Sequence, residues 1–232
     1  NAVVNTTTTP PSFTFTPTWS INGELRMDEG TLNVGFGNSL LALNNGFLRV
    51  NGGTINILGG FQSNVAGTLI LNNGGIININ PINGTDALPA NVPAFASGAN
   101  SNITITGGEI NIINPQQAFN SITVNVLSGG SKSITGGLLR IGNGLQNGTL
   151  PNLSNLAGFG LTSEVPFYNV LIDNRFDLST GRLVRILNTF KVAGTLQLAA
   201  GGTILPASGN NGGAIILEGN FVNNGQVIGN FP

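Results

Sequence analysis

Any acid/base chemistry in this chain would have to come from its carboxylates. Nine Asp and Glu residues stand beside eight Lys and Arg, with no His and no Cys. Cleavage of acidic polysaccharides, a common task for stacked-strand enzymes, needs clustered carboxylates, with Lys, Arg or His to handle the substrate's charge. Two pairs are close enough in sequence to consider. Asp28 and Glu29 are adjacent at a turn; Asp173 and Asp177 lie four apart around Asn174-Arg175 in a loop-like stretch. Neither is reinforced by an equivalent pair in neighbouring segments. Asp173 and Asp177 could instead form a weak calcium site. A nucleophile has no His to activate it, and thiolates, disulfides and Cys-based zinc sites are excluded with Cys. Gly129-Gly130 and Gly201-Gly202 lack the following Gly-Lys-Ser/Thr and helix of a phosphate cradle, so they read as turns. The expectation is a protein that is not an enzyme and carries no metal or cofactor.

Overall composition narrows the class further. The net charge is −1 and the basic residues are scattered, which argues against nucleic acid as a partner. No apolar run approaches the roughly 18 residues a membrane helix requires, so no membrane insertion is expected. Charged residues make up 7% of the chain, against about 25% in ordinary soluble proteins. Apolar residues make up 40%, enough for a substantial core. Gly and Asn together account for nearly a third of the residues, and both tolerate the positive φ that frequent turning demands. The chain opens at Asn1 with neither Met nor a leader, as expected for a processed protein or a segment of a larger one. Five Asn-x-Ser/Thr sequons, at Asn5, Asn83, Asn102, Asn147 and Asn152, are what an Asn- and Thr-rich chain produces by chance.

The elements that would position any site repeat along the chain. Gly23-Glu-Leu-Arg-Met is followed by Gly30-Thr-Leu-Asn-Val, Gly46-Phe-Leu-Arg-Val by Gly53-Thr-Ile-Asn-Ile, and Gly67-Thr-Leu-Ile-Leu by Gly75-Ile-Ile-Asn-Ile. Leu25 recurs as Leu48 and Leu69, at steps of 23 and 21 residues, and Leu32 as Ile55 and Ile77, at steps of 23 and 22. Positions three and five of each phrase are apolar and position four is usually polar, the period-2 code of a strand with one buried face. Asn-Gly links between strands would also suit antiparallel hairpins. The fixed recurrence of whole phrases, like residue above like, favours stacked coils instead. Crossover handedness predicts a right-handed wind.

The expected fold is therefore all-β: one right-handed parallel β-helix, or β-solenoid, of about seven to nine coils over 21–232. Residues 1–20, with Phe13, Phe15 and Trp19, would form an end cap over the first coil or a linker. Two Pro- or Leu-containing stretches, 81–101 and 143–165, are expected as loop inserts, the second with room for a short helix. Outward positions then line up as columns. Asn33, Asn56, Asn78 and Asn111 form one, followed by Arg140. Its amides would bond along the stack, or the strip would bind sugar or, with more regular Thr pairs than Thr31 and Thr54, ice. Arg26 would lie above Arg49, with Glu24, Asp28 or Glu29 to separate the charges.

The last third adds a resemblance. Phe167-Tyr-Asn-Val-Leu-Ile-Asp-Asn174, Phe190-Lys-Val-Ala-Gly-Thr-Leu-Gln-Leu198 and Ile215-Ile-Leu-Glu-Gly-Asn-Phe-Val-Asn-Asn-Gly225 resemble the repeats of very large secreted surface proteins of gliding and related Gram-negative bacteria. The likeness is close over about 60 residues and loose over the earlier coils. It implies an extracellular, cell-surface structural or adhesive element, an adhesin or filament segment. It supplies no catalytic residue. The phrase over 225–231 has no charged or proline-rich blunt end, so the last coil is expected to stack head to tail with another copy or with an adjacent domain. The rival expectation is a carbohydrate-binding or polysaccharide-cleaving β-helix, with surface glycans as partner and the Asn column as binding strip.

Overall fold

The computed structural model describes residues 2–5, 12–13, 18–35, 40–79, 92–113, 122–142, 159–173, 184–205 and 213–227. The protein is a parallel β-helix whose coils pass through three sheets in turn as far as Ile141; beyond that the described strands belong to the second and third sheets. The first sheet stacks Ala2–Asn5, Glu24–Glu29, Phe47–Val50, Thr68–Leu71, Asn102–Ile105 and Lys132–Ile134. The second stacks nine strands: Ser12–Phe13, Thr31–Val34, Gly53–Ile57, Gly75–Ile79, Glu109–Ile112, Leu138–Ile141, Asn169–Ile172, Thr195–Leu198 and Asn220–Asn223. The third runs through Thr18–Ile21, Leu40–Asn44, Gly60–Val65, Phe95–Ser97, Ile122–Val126, Phe159–Phe167, Val184–Val192, Thr203–Leu205 and Gln226–Val227. Every pairing between these strands is parallel, so the antiparallel hairpin alternative is excluded.

Alternation creates the core and register aligns it. In the second sheet Leu32, Ile55, Ile77, Ile110, Leu139, Val170 and Leu196 follow one another in register, all buried. In the third sheet Leu41, Phe61, Phe95, Val124, Leu161 and Ile186 do the same, and the rings of Phe61 and Phe95 stack with centroids 5.3 Å apart. Like side chains nest because each coil repeats at the strand spacing of about 4.8 Å. Each inward side chain adds roughly 1.5–3 kcal/mol of burial, which only neighbouring coils can supply.

The Gly that opens each second-sheet phrase has a steric cause. Gly53 has φ +71°, and a Cβ there would come within 2.6 Å of the Gly30 carbonyl oxygen in the coil before it. Gly108 repeats the arrangement at φ +74°, against Gly75 O at 2.4 Å. A side chain at either would fight both the left-handed turn and the close stacking.

Two expectations change. The stretch 1–20 contributes rungs and is more than a cover: Ala2–Asn5 pairs with the first-sheet strand Glu24–Glu29, Ser12–Phe13 with Asn33–Val34, and Thr18–Ile21 with Leu40–Leu43. Trp19 is half-buried against the core, Phe13 sits on the strand Ser12–Phe13, and Phe15 lies outside the described residues. The ends of both expected inserts also belong to the ladder, as Phe95–Ser97 and Phe159–Phe167. Pro166 is accommodated where pairing skips from Ser163 to Phe167, so its missing N–H breaks no regular bond. The segments 80–91 and 143–158, with the suggested helix, lie outside the described residues. Val184–Val192 is one long strand that pairs with Thr203–Leu205 at its start and with Ala214–Leu217 at its end.

Candidate functional site

The outward Asn column of the second sheet forms a continuous amide ladder. Asn56 Nδ2 donates to Asn33 Oδ1 at 2.8 Å, Asn78 Nδ2 to Asn56 Oδ1 at 2.9 Å, and Asn111 Nδ2 to Asn78 Oδ1 at 2.9 Å. The strands fix this geometry, because identical residues in parallel register place each amide one strand spacing above the next. The chain of donation ends at Asn111, whose Oδ1 is buried without a hydrogen bond. Arg140 holds the next place in the column. Its Nε donates to Asp173 Oδ2 at 3.1 Å and Nη2 contacts the same oxygen.

A second ladder runs along the corner between the first and second sheets. Asn51 Nδ2 donates to Asp28 Oδ1 at 2.7 Å, Asn72 Nδ2 to Asn51 Oδ1 at 2.6 Å, and Thr106 Oγ1 to Asn72 Oδ1 at 3.0 Å. Sequence reasoning missed it; the signal was present in the spacing of Asp28, Asn51 and Asn72 at steps of 23 and 21. The Asn51 amide, and then Arg26, hold the Asp28 carboxyl below its ordinary value. Arg26 and Arg49 are register neighbours, as anticipated. Arg26 Nε pairs with Asp28 at 2.9 Å and Arg49 Nε with Glu24 Oε1 at 3.1 Å, so each like charge has its own carboxylate.

Of the carboxylates considered for acid/base work or calcium, one from each pair is held in an ion pair, and Glu29 ends the strand Glu24–Glu29. Asp28 serves Arg26 and Asn51, Asp173 serves Arg140, and Asp177 lies outside the described residues. Among the described residues no group of three or more metal-ligating side chains comes together.

Two further features escaped the sequence. Lys132 occupies an inward position, in register after Leu25, Leu48, Leu69 and Ile103. Its ammonium donates to the carbonyl oxygens of Gly98 at 3.1 Å, Gly129 at 2.8 Å and Ser101. Desolvation lowers its pKa. The other is a groove of about 570 Å³ along the glycine corner, lined by Asn73–Ile76, Thr106–Glu109, Gly137, Leu138 and Asn169.

No family model, curated protein or solved structure matches this chain.

Proposed function

We propose that this β-helix is a structural, adhesive element of an extracellular surface fibre or large adhesin. It stacks end to end with a neighbouring domain or a second copy. One observation carries the reading. Phe221 stands in register with Leu196, in the inward column that starts at Leu32. Leu196 is 2% exposed, whereas Phe221 is 48% exposed. The last described coil thus presents an inward-type aromatic, beside the half-buried Ile215, Leu217 and Val227, where one more coil of the same cross-section would bury them. Strand edges at such an end also offer unpaired N–H and C=O groups, which parallel pairing would satisfy. The likeness of the last third to surface-protein repeats supports the same reading.

The mechanism is mechanical. Continuous parallel ladders and a dry column of nested side chains resist bending, and a stack lengthens by adding coils without changing its cross-section. Sedimentation velocity and electron microscopy at rising concentration test the subunit version. End-to-end rods that disperse on Phe221→Asp are expected, and monomers alone at high concentration would overturn it. For the neighbouring-domain version, the same phrase continuing in the residues that flank the chain is the expected finding.

A further inference from the structure

We propose that the groove along the glycine corner binds a short neutral oligosaccharide, with Tyr168 at its rim. The groove lies on the side of the stack, away from the coil end, so the inference stands whether or not copies assemble.

Its volume falls within the range of small-ligand sites, about 300–1,000 Å³. It crosses four successive coils, which at ~4.8 Å per coil makes it about 14 Å long. Part of the floor is backbone: a Cβ at Gly74 would meet nothing nearer than Asn51 O at 3.9 Å, so the peptide there is open to a ligand, whereas Gly107 and Gly137 are required by close stacking, a Cβ at either coming within 2.8 Å of the coil before it. One wall is a single outward column of the second sheet, in which Ile76, Glu109, Leu138 and Asn169 are register neighbours. Two apolar side chains thus flank a carboxylate.

The polar groups in the groove have spare capacity. Glu109 makes no ion pair among the described residues, and its carboxylate receives one long bond of 3.4 Å, from Asn111 Nδ2. Asn169 Oδ1 accepts from the Thr195 N–H at 3.0 Å, and its Nδ2 has no partner among the described residues. Asn73 is exposed. At one end stands Tyr168, 41% exposed. It lines a small adjoining pocket together with Gly137, Leu138 and Asn169, three residues that also line the groove.

This combination matches the two sides of a sugar ring. Hydroxyls find a carboxylate and amides, and the C–H face finds Ile76, Leu138 and the Tyr168 ring. The lining holds no Lys or Arg, so acidic sugars would meet only the Glu109 charge. A peptide strand fits less well. Strand addition needs an open edge, and the corner backbone is already bonded along the stack, with Thr106 N–H donating to Leu71 O and Leu138 N–H to Gly108 O.

Calorimetric titration of the full chain with neutral di-, tri- and tetrasaccharides of glucose, mannose and N-acetylglucosamine tests the site. Saturable binding by at least one series is expected, weakened about tenfold or more by Tyr168→Ala and by Glu109→Ala, and abolished by Leu138→Arg. Phe47→Ala, an exposed position outside the groove, should bind as the parent does. Thermal midpoints of all variants confirm folding. No saturable binding across the panel overturns the proposal, as does binding that survives both Tyr168→Ala and Leu138→Arg, or saturation by a basic peptide alone. Sedimentation reads end-to-end assembly separately, so either idea can fail without the other.

Discussion

Arg140 stands directly after Asn111 in the outward column of the second sheet, but its guanidinium is bonded to Asp173 while the Asn111 carbonyl oxygen is buried and unbonded. The amide ladder is therefore broken by an ion pair. Asp173 is 8% exposed, and a buried carboxylate stripped of its partner is expensive. Arg140→Asn should lower unfolding free energy by about 2–3 kcal/mol. The double variant Arg140→Asn/Asp173→Ala should recover part of that loss, because it removes the orphan charge and lets a new amide donate to Asn111. Urea unfolding of the three proteins checks this; a double variant weaker than the single would refute it.

Within the ladder, position decides the effect. Asn78 both donates to Asn56 and accepts from Asn111, whereas Asn33 at the edge of the described ladder accepts from Asn56. Asn78→Ala should cost about 2 kcal/mol and Asn33→Ala about 1 kcal/mol, since unpaired half-buried amides lose more than the bond itself. Equilibrium unfolding gives both values, and a double-mutant cycle at Asn56 and Asn78 should show coupling. Equal losses at Asn33 and Asn78 would mean that the number of ladder bonds does not set the cost.

What could be read from the sequence follows from what recurs. Leu25, Leu48 and Leu69, and Leu32, Ile55 and Ile77, revealed the stack because nesting selects the same side chain in successive coils. The same logic located the Asn column and the Arg26–Arg49 contact. Phe95 stayed hidden because its rung is short, lacks the Gly-opened phrase, and follows a Pro-rich stretch, though it stacks on Phe61. The strand Phe159–Phe167 was obscured by Pro166, which falls at an irregularity in pairing. Lys132 could not be read as inward, because the groups that accept its charge are backbone carbonyls of turns about 30 residues apart in sequence, at Gly98 and Gly129. The corner groove is made of absent side chains and of a column whose residue types change from coil to coil. Its glycines recur with the repeated phrase, but the changing column beside them gives that recurrence no signature of a site.

The corner ladder should respond to acid. Asp28 has its pKa lowered in the folded state, first by the Asn51 amide and then by Arg26. A carboxyl depressed on folding contributes stability that is fully present above its unfolded value, near 3.8, and is lost as pH falls through the lower folded value. Urea midpoints should therefore drop below pH 4 in the parent protein. Asp28→Asn keeps an oxygen to accept from Asn51 but cannot titrate, so the difference between the two proteins should shrink through that window. A constant difference down to the lowest measurable pH would show that Asp28 is not linked to folding.

Ala66 offers a stabilising substitution. It is exposed and sits at φ +44°, in the left-handed region, where it bridges antiparallel to Asn44 just before Gly67 opens the next coil. An L-residue with a Cβ costs roughly 1–2 kcal/mol there, while glycine carries no such penalty but brings extra freedom to the unfolded chain. The steric relief is the larger effect, so Ala66→Gly should gain about 0.5–1 kcal/mol. The neighbouring Asn45, at φ +59°, is a useful contrast. Asn tolerates this region better than Ala, so Asn45→Gly should change stability by less. Thermal and urea unfolding of both variants measure the two effects side by side, and a loss at Ala66→Gly would mean that its methyl group contributes packing that outweighs the backbone strain.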